Sequence, residues 1–367
     1  PPGLSSTFSR TAGAAQDPGS PAIAGPAGLC HTRIDMVSLR MTKHGLSCGD
    51  GGFHIDPWGP VERAVITHAH ADHASRGSRH YLAARDGAHI LRARLGNEAR
   101  IQLLEYGEAV DLDGHRLTLH PAGHILGSAQ VRIERRGHVT VFTGDYKLQP
   151  DPTCRPFELV RCHALITEST FGLPVYRWDE PEQVFADIRA WWKSNREAGR
   201  ASVLFAYALG KAQRILMGLD PSAGPIFTHE LVEELNRRYR MSGVALPNTL
   251  PLGKATGKTE WGRAIILAPP SARGTAWMGT LGECSTALAS GWMRLRGARN
   301  RRGGDRGFVL SDHADWPGLM ETIAATGAER VFVTHGYVEP VVRLLREKGI
   351  HAEPLKAKFA DDETTED

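Results

Sequence analysis

Three imidazoles and a carboxylate crowd into six positions of "VITHAHADHA" (residues 65–74): His68, His70, Asp72 and His73. Packed imidazoles disfavour one another's protonation, and once desolvated they leave lone pairs without partners that a divalent cation can use directly. His68 and His70, two apart on an extended backbone, can point to one side. Asp72 and His73 follow as the chain turns, so they face elsewhere and can hold a second ion. Four ligands for each of two ions exceed what this loop supplies. "HPAGHILGSAQ" offers His124 in a glycine-flanked turn, and "FTGDYKLQ" offers Asp145, a carboxylate able to bridge two ions.

Such groups need a scaffold that brings distant residues together. Short β-branched runs ending in a polar residue recur: "AVITH" (64–68), "VTVFTGD" (139–145), "ALITE" (164–168), "FVLSDH" (308–313) and "VFVTH" (331–335). Each reads as a buried strand. Helix-period segments at 181–199 and 315–327 lie between them, and the alternation predicts α/β layers. Functional groups in such folds collect beyond strand ends, where His68, Asp145, Glu168, His313 and His335 all fall. A second α/β block, with strands at 202–207, 225–228 and 264–268 and helices from Lys211 and over 230–239, reads as an insertion, because strands carrying candidate site residues lie on both sides of it.

Composition narrows the function classes. Among 367 residues, 44 Lys and Arg face 41 Asp and Glu, a net charge of +3, so any grip on nucleic acid must come from where the arginines sit. No apolar run approaches the roughly 18 residues of a membrane helix. Five scattered cysteines without a C-x-x-C pair fit neither a disulfide framework nor a thiolate zinc knuckle, and a reducing cytoplasm is the expected setting. Residues 1–37 read as a disordered tail and 358–367 as a solvated acidic one.

Asp56 in "FHIDPW", the "HAHADH" cluster, His124 and Asp145 resemble, in order, the four motifs of the metallo-β-lactamase fold hydrolases. "ITESTFG" with Glu168, "LSDHADW" with His313 and "VTHGY" with His335 resemble the three further motifs of the β-CASP nucleases. "GDYKLQPDPTCRPFE", "TESTFGLPVYRW" and "GWMRLRGARNRR" are most similar to the bacterial DNA ligase-associated exonuclease branch. The resemblance implies an α/β fold: a four-layer αββα sandwich, residues 38–175 completed by 304–357, with an inserted α/β β-CASP cap over 176–303. It implies two zinc ions, with manganese as an alternative. His68, His70, His124 and Asp145 would hold the first, and Asp72, His73, Asp145 and His335 the second. Asp56 would stand behind these ligands and orient the histidine loop. His313 would protonate the leaving oxygen, Glu168 would hold its ring, and Asp72 would count among the catalytic residues. Tyr337 departs from the RNA-processing relatives, which often carry an acidic residue there.

The expected substrate is DNA, cut from an end in repair alongside an ATP-dependent DNA ligase and a helicase, with RNA as the alternative. Arg294, Arg296, Arg299, Arg301 and Arg302, among glycines in 291–307, form a polycation suited to phosphate contacts, and Lys211 after Gly210 at a helix start could bind another phosphate. A small-molecule hydrolase would not need Glu168, His313 and the insertion. A non-catalytic scaffold would be expected to have lost ligands.

Overall fold

The computed structural model describes residues 39–257, 259–295, 297 and 304–355. The two tails and Arg296, Arg299, Arg301 and Arg302 lie outside these described residues, within which three sheets form.

The first sheet runs in chain order through Leu39–Thr42, Gly45–Cys48, Phe53–Ile55, Arg63–Val65, His80–Ala84 and Ile101–Leu104, and is parallel from Phe53 onward. The second joins Ala109–Leu112, His115–Pro121, Ala129–Arg135 and His138–Phe142 as an antiparallel meander. It then adds Ala164–Ser169, Arg330–Gly336 and His351–Pro354 in parallel. Asp113–Gly114 and Arg136–Gly137 close two hairpins of the meander with positive φ at both residues, the mirror-image turn that matches strand twist.

Alternation along the strands sets the layers. In Ala164–Ser169, Ile166 points to the core shared by the first two sheets, with Val65, Leu82, Val131 and Phe332. Leu165 points the other way, onto Leu319 and Ile323 of helix Trp316–Thr326 and Val341 and Leu345 of helix Val338–Glu347. The first sheet's far face, through Ile66 and Tyr81, covers helix Ala88–Leu95 and also meets Tyr239 and Leu246 of the insertion. Helix, sheet, sheet and helix therefore stack as a four-layer α/β sandwich.

The insertion carries the third, all-parallel sheet, ordered Leu250–Pro251, Ile226–Thr228, Ile265–Ala268, Ala201–Phe205, Cys284–Ala289 and Arg306–Phe308. Both faces are covered, which explains its unbroken apolar runs. Leu204 and Leu267 pack on helices Pro181–Glu197 and Lys211–Gly218. Phe205 and Ile266 pack on Trp261, Trp277 and Leu281.

Two expectations need correction. "FVLSDH" is not one strand: the ladder stops at Phe308, and residues 309–315 run as irregular backbone. The strand Arg306–Phe308 also belongs to the third sheet, beyond the boundary drawn at 303. The reason is packing, since Phe308 meets Trp191 edge-on at 5.7 Å and Leu310 fills the same core.

Phe332, fully buried between the first two sheets, tests which core holds the site's strands in register. Phe332→Ala is expected to lower stability by ~3–5 kcal/mol in chemical denaturation, whereas a loss under 1 kcal/mol would show that the sheets do not depend on this contact.

Candidate metal centre and active site

The site lies where parallel strands of the first two sheets end. His68 follows Arg63–Val65, Asp145 follows His138–Phe142, and Glu168 and His335 lie in Ala164–Ser169 and Arg330–Gly336. His124 comes from the loop between His115–Pro121 and Ala129–Arg135. Gly123 permits its turn, with φ +74° and no space for a Cβ beside the Lys147 carbonyl. His335 is inserted by a bulge: pairing slips after Glu168–Thr334 so that Ser169 faces Gly336, and His335 takes φ +53°. Asp56 is likewise left-handed, at φ +41°. Non-glycine residues adopt this region rarely and at some energetic cost, which their surroundings must hold in place.

Hydrogen bonds on the outer ring nitrogens fix which atoms meet inside. Thr67 donates its hydroxyl to Asp56 Oδ2 (2.6 Å), so its oxygen accepts from His68 Nδ1 (3.0 Å). His124 Nδ1 donates to the Asp312 carbonyl (2.7 Å), and His70 Nε2 to the Leu209 carbonyl (3.3 Å). Each ring thereby places its proton outside the cluster and its lone pair inside. Yet His70 Nδ1 lies 3.1 Å from both His68 Nε2 and His124 Nε2, and Asp145 Oδ2 lies 3.6 and 3.9 Å from those same two atoms. Three nitrogen lone pairs and a carboxylate oxygen converge with no proton among them, the donor set a divalent cation takes.

A second group shares Asp145. His73 donates Nδ1 to Asp56 Oδ2 (2.7 Å), and its Nε2 lies 3.3 Å from Asp72 and 3.4 Å from Asp145. That buried Nε2 has no hydrogen bond of good geometry. His335 stacks on His73 at 5.4 Å and joins Asp72 and His73 as a further set that could hold an ion. The electrostatics agree with cation sites. Burial and the neighbouring imidazoles hold His68 and His124 well below the usual imidazole range. Burial also opposes charge on His73, but Asp72, Asp145 and Asp56 together outweigh it and raise its pKa well above that range. Positive charge is thus wanted beside Asp145.

His313 sits beside this centre, its ring 4.7 Å from that of His124. Its Nδ1 meets Glu168 Oε2 at 2.8 Å, and Glu168 is itself held by the Tyr146 amide (2.7 Å) and the Thr170 hydroxyl (2.5 Å). Aromatic rings wall this side: Phe171 lies 5.9 Å from His313 and 4.8 Å from Trp292.

The basic residues divide differently from expectation. Lys211 is 3% exposed, with its ammonium 3.7 Å from Asp312 and over the Tyr207 ring. Its partner is a carboxylate rather than a phosphate, because the helix it begins is packed down onto the 311–313 turn. Arg294 is half-buried and pairs with Asp179 at 3.3 Å. Sequence reasoning missed Thr67, Thr170 and the Leu209 and Asp312 carbonyls. Thr67 had a local signal, a hydroxyl between the strand and His68. The carbonyls had none, since every residue carries one.

No family model matches the chain. It is 33% identical over 312 residues to a probable DNA ligase from Opitutus terrae, a match covering 84% of this chain but 30% of that one. Over 125 residues it is 32% identical to the endoribonuclease YSH1 of Yarrowia lipolytica and 34% to that of Saccharomyces cerevisiae, in each case 33% of this chain and 15% or 16% of theirs. The chain thus spans less than a third of the length of these relatives. A crystal structure of a protein of unknown function from Enterococcus faecalis V583 superimposes with a TM-score of 0.52 over 80% of this chain and 79% of that one, at 13% identity. That likeness concerns the fold.

Gly144, at φ +56° ahead of Asp145, would place a Cβ 2.8 Å from that of Thr67. Gly144→Ala is expected to weaken divalent-cation affinity about tenfold or more by displacing Thr67 and Asp145, measured by competition with a chromophoric chelator. Unchanged affinity in a folded variant would separate this backbone from the metal centre.

Proposed function

We propose that the chain is a metal-dependent phosphodiesterase of the metallo-β-lactamase fold and β-CASP group, acting as a DNA exonuclease alongside a DNA ligase and a helicase. The observation that carries it is the set of inward lone pairs sharing Asp145, with the His313–Glu168 pair directly beside it. His68, His70, His124 and Asp145 would hold one ion, and Asp72, His73, His335 and Asp145 the other, with zinc suited to an imidazole-rich set and manganese the alternative. Two such cations supply Lewis acidity to the phosphate oxygens and acidify water at neutral pH.

The chain's own groups do the rest. Glu168 engages His313 Nδ1, so the proton His313 exchanges with a departing alkoxide is the one on Nε2, and the carboxylate stabilises the ring when it is charged. Tyr146 and Thr170 keep that carboxylate from rotating away. Asp56 and Thr67 lock two histidines of the loop in one tautomer each. Phe171 and Trp292 shield the His313 side from water.

Support for DNA comes from the extent of similarity. The match to the probable DNA ligase covers 84% of the chain, where the endoribonuclease matches cover a third. That the related stretch stands within a longer protein bearing a ligase name also favours a ligase as working partner. RNA cleavage is the second reading, favoured by the endoribonucleases.

End-labelled DNA and RNA of one sequence separate the two. We expect mononucleotide release from DNA, abolished by chelator, and about 10²-fold or greater loss of kcat in His313→Ala with metal content unchanged. Equal turnover by His313→Ala would remove His313 from the chemistry, and preferential cutting of RNA would favour the second reading.

A further inference from the structure

Between the sandwich and the insertion lies a buried ionic cluster that the proposed chemistry does not use. Lys147, Asp151, Arg214, Asp312 and Lys211 are each at most 9% exposed. Lys147 Nζ meets Asp151 Oδ2 at 2.8 Å, and Arg214 Nε lies 3.7 Å from the same oxygen. Lys211 Nζ and Arg214 Nη1 face the two oxygens of Asp312 at 3.7 and 3.5 Å. Three cations thus surround two carboxylates out of water. Burying such a group contributes little net stability compared with an apolar core, since desolvation offsets most of the attraction, so its presence calls for another explanation.

The explanation lies in what the cluster touches. Residues 311–313 have no ladder to hold them, yet the Asp312 carbonyl takes the proton of His124 and the next residue is His313. Arg214 reaches this turn from helix Lys211–Gly218 of the insertion. Its Nη1 donates to the Ser311 carbonyl at 2.5 Å and its Nη2 to Gln149 at 3.4 Å, so one planar fork ties the turn to the loop after Asp145. The Ser311 hydroxyl and the Tyr146 carbonyl accept from the His313 and Ala314 amides (3.1 and 2.6 Å), completing the turn's restraints. A lysine could carry the charge but could not span both segments.

We infer that Arg214 is a positioning residue: from the insertion it clamps the Ser311–His313 turn and so sets both the His124 ring and the His313–Glu168 pair. The inference rests on the proposed metal centre, and it makes cation affinity depend on a residue that contacts neither metal nor substrate. Arg214→Lys tests it. Cation affinity is read by chelator competition without nucleic acid, kcat and KM are read at saturating metal, and folding is followed by circular dichroism. We expect affinity about tenfold or more weaker and kcat reduced by a similar factor, with KM for DNA changed less than about twofold.

Should Arg214→Lys fail to fold, the double variant Arg214→Gln/Asp312→Asn removes both charges, leaves the Asp312 carbonyl in place and is expected to show the same weakening. A folded variant with wild-type affinity and kcat overturns the inference. So does a raised KM with unchanged affinity, which would make Arg214 a substrate contact. Wild-type protein that binds no divalent cation would instead bring down the metal centre, and this inference with it.

Discussion

Three imidazoles whose protons are all committed to acceptors outside their cluster must meet lone pair to lone pair, and the rest of the structure is organised around holding them there. Left alone, His68 Nε2, His70 Nδ1 and His124 Nε2 repel one another and the Asp145 carboxylate. Burial worsens this for His68 and His124, which are almost fully removed from solvent. The fold tolerates the arrangement by rigidity. Asp56 accepts from the Thr67 amide, the Thr67 hydroxyl and His73, so one carboxylate fixes the loop on two sides. The carboxylates of Asp72, Asp145 and Asp56 favour positive charge on His73 in spite of its burial.

The same constraint explains where the backbone departs from comfortable geometry. Among the described residues, four non-glycine positions have positive φ: Asp113 and Arg136 in hairpin turns, and Asp56 and His335 in the site. The first pair follows from strand twist. The second has no such local cause, and for His335 the bulge supplies the mechanism: one extra residue between Thr334 and Gly336 turns its ring toward His73 instead of into the sheet. Gly336, whose Cβ would meet Thr170 at 2.4 Å, lets the strand close again behind it.

What the sequence made legible was whatever depends on short-range pattern. The apolar runs ending in polar residues marked the strands that lead to His68, Asp145, Glu168 and His335, and the His68–His73 spacing marked the centre, because period and proximity along the chain survive folding. "FVLSDH" misled for the same reason: its β-branched look was real, but Phe308 and Leu310 answer to the insertion's core rather than to a ladder continuing to His313. Lys211 misled because a lysine at a helix start reads as an open phosphate site, and only tertiary packing brings Asp312 against it, about a hundred positions later. Arg214 left no trace at all, since its partners are a carbonyl at Ser311 and a side chain at Gln149 that no local spacing relates.

These long-range contacts bear on what the insertion is for. A cap that only gripped substrate could sit loosely over the cleft, yet here the insertion reaches the centre at two points. The Leu209 carbonyl takes the His70 proton, and Arg214 holds the turn whose carbonyl takes the His124 proton. Two of the three inward lone pairs are therefore oriented by the insertion or through it. Any movement that lifts the insertion away would free His70 and His124 to rotate, leaving His68 and Asp145 as the only members of that set still anchored within the sandwich.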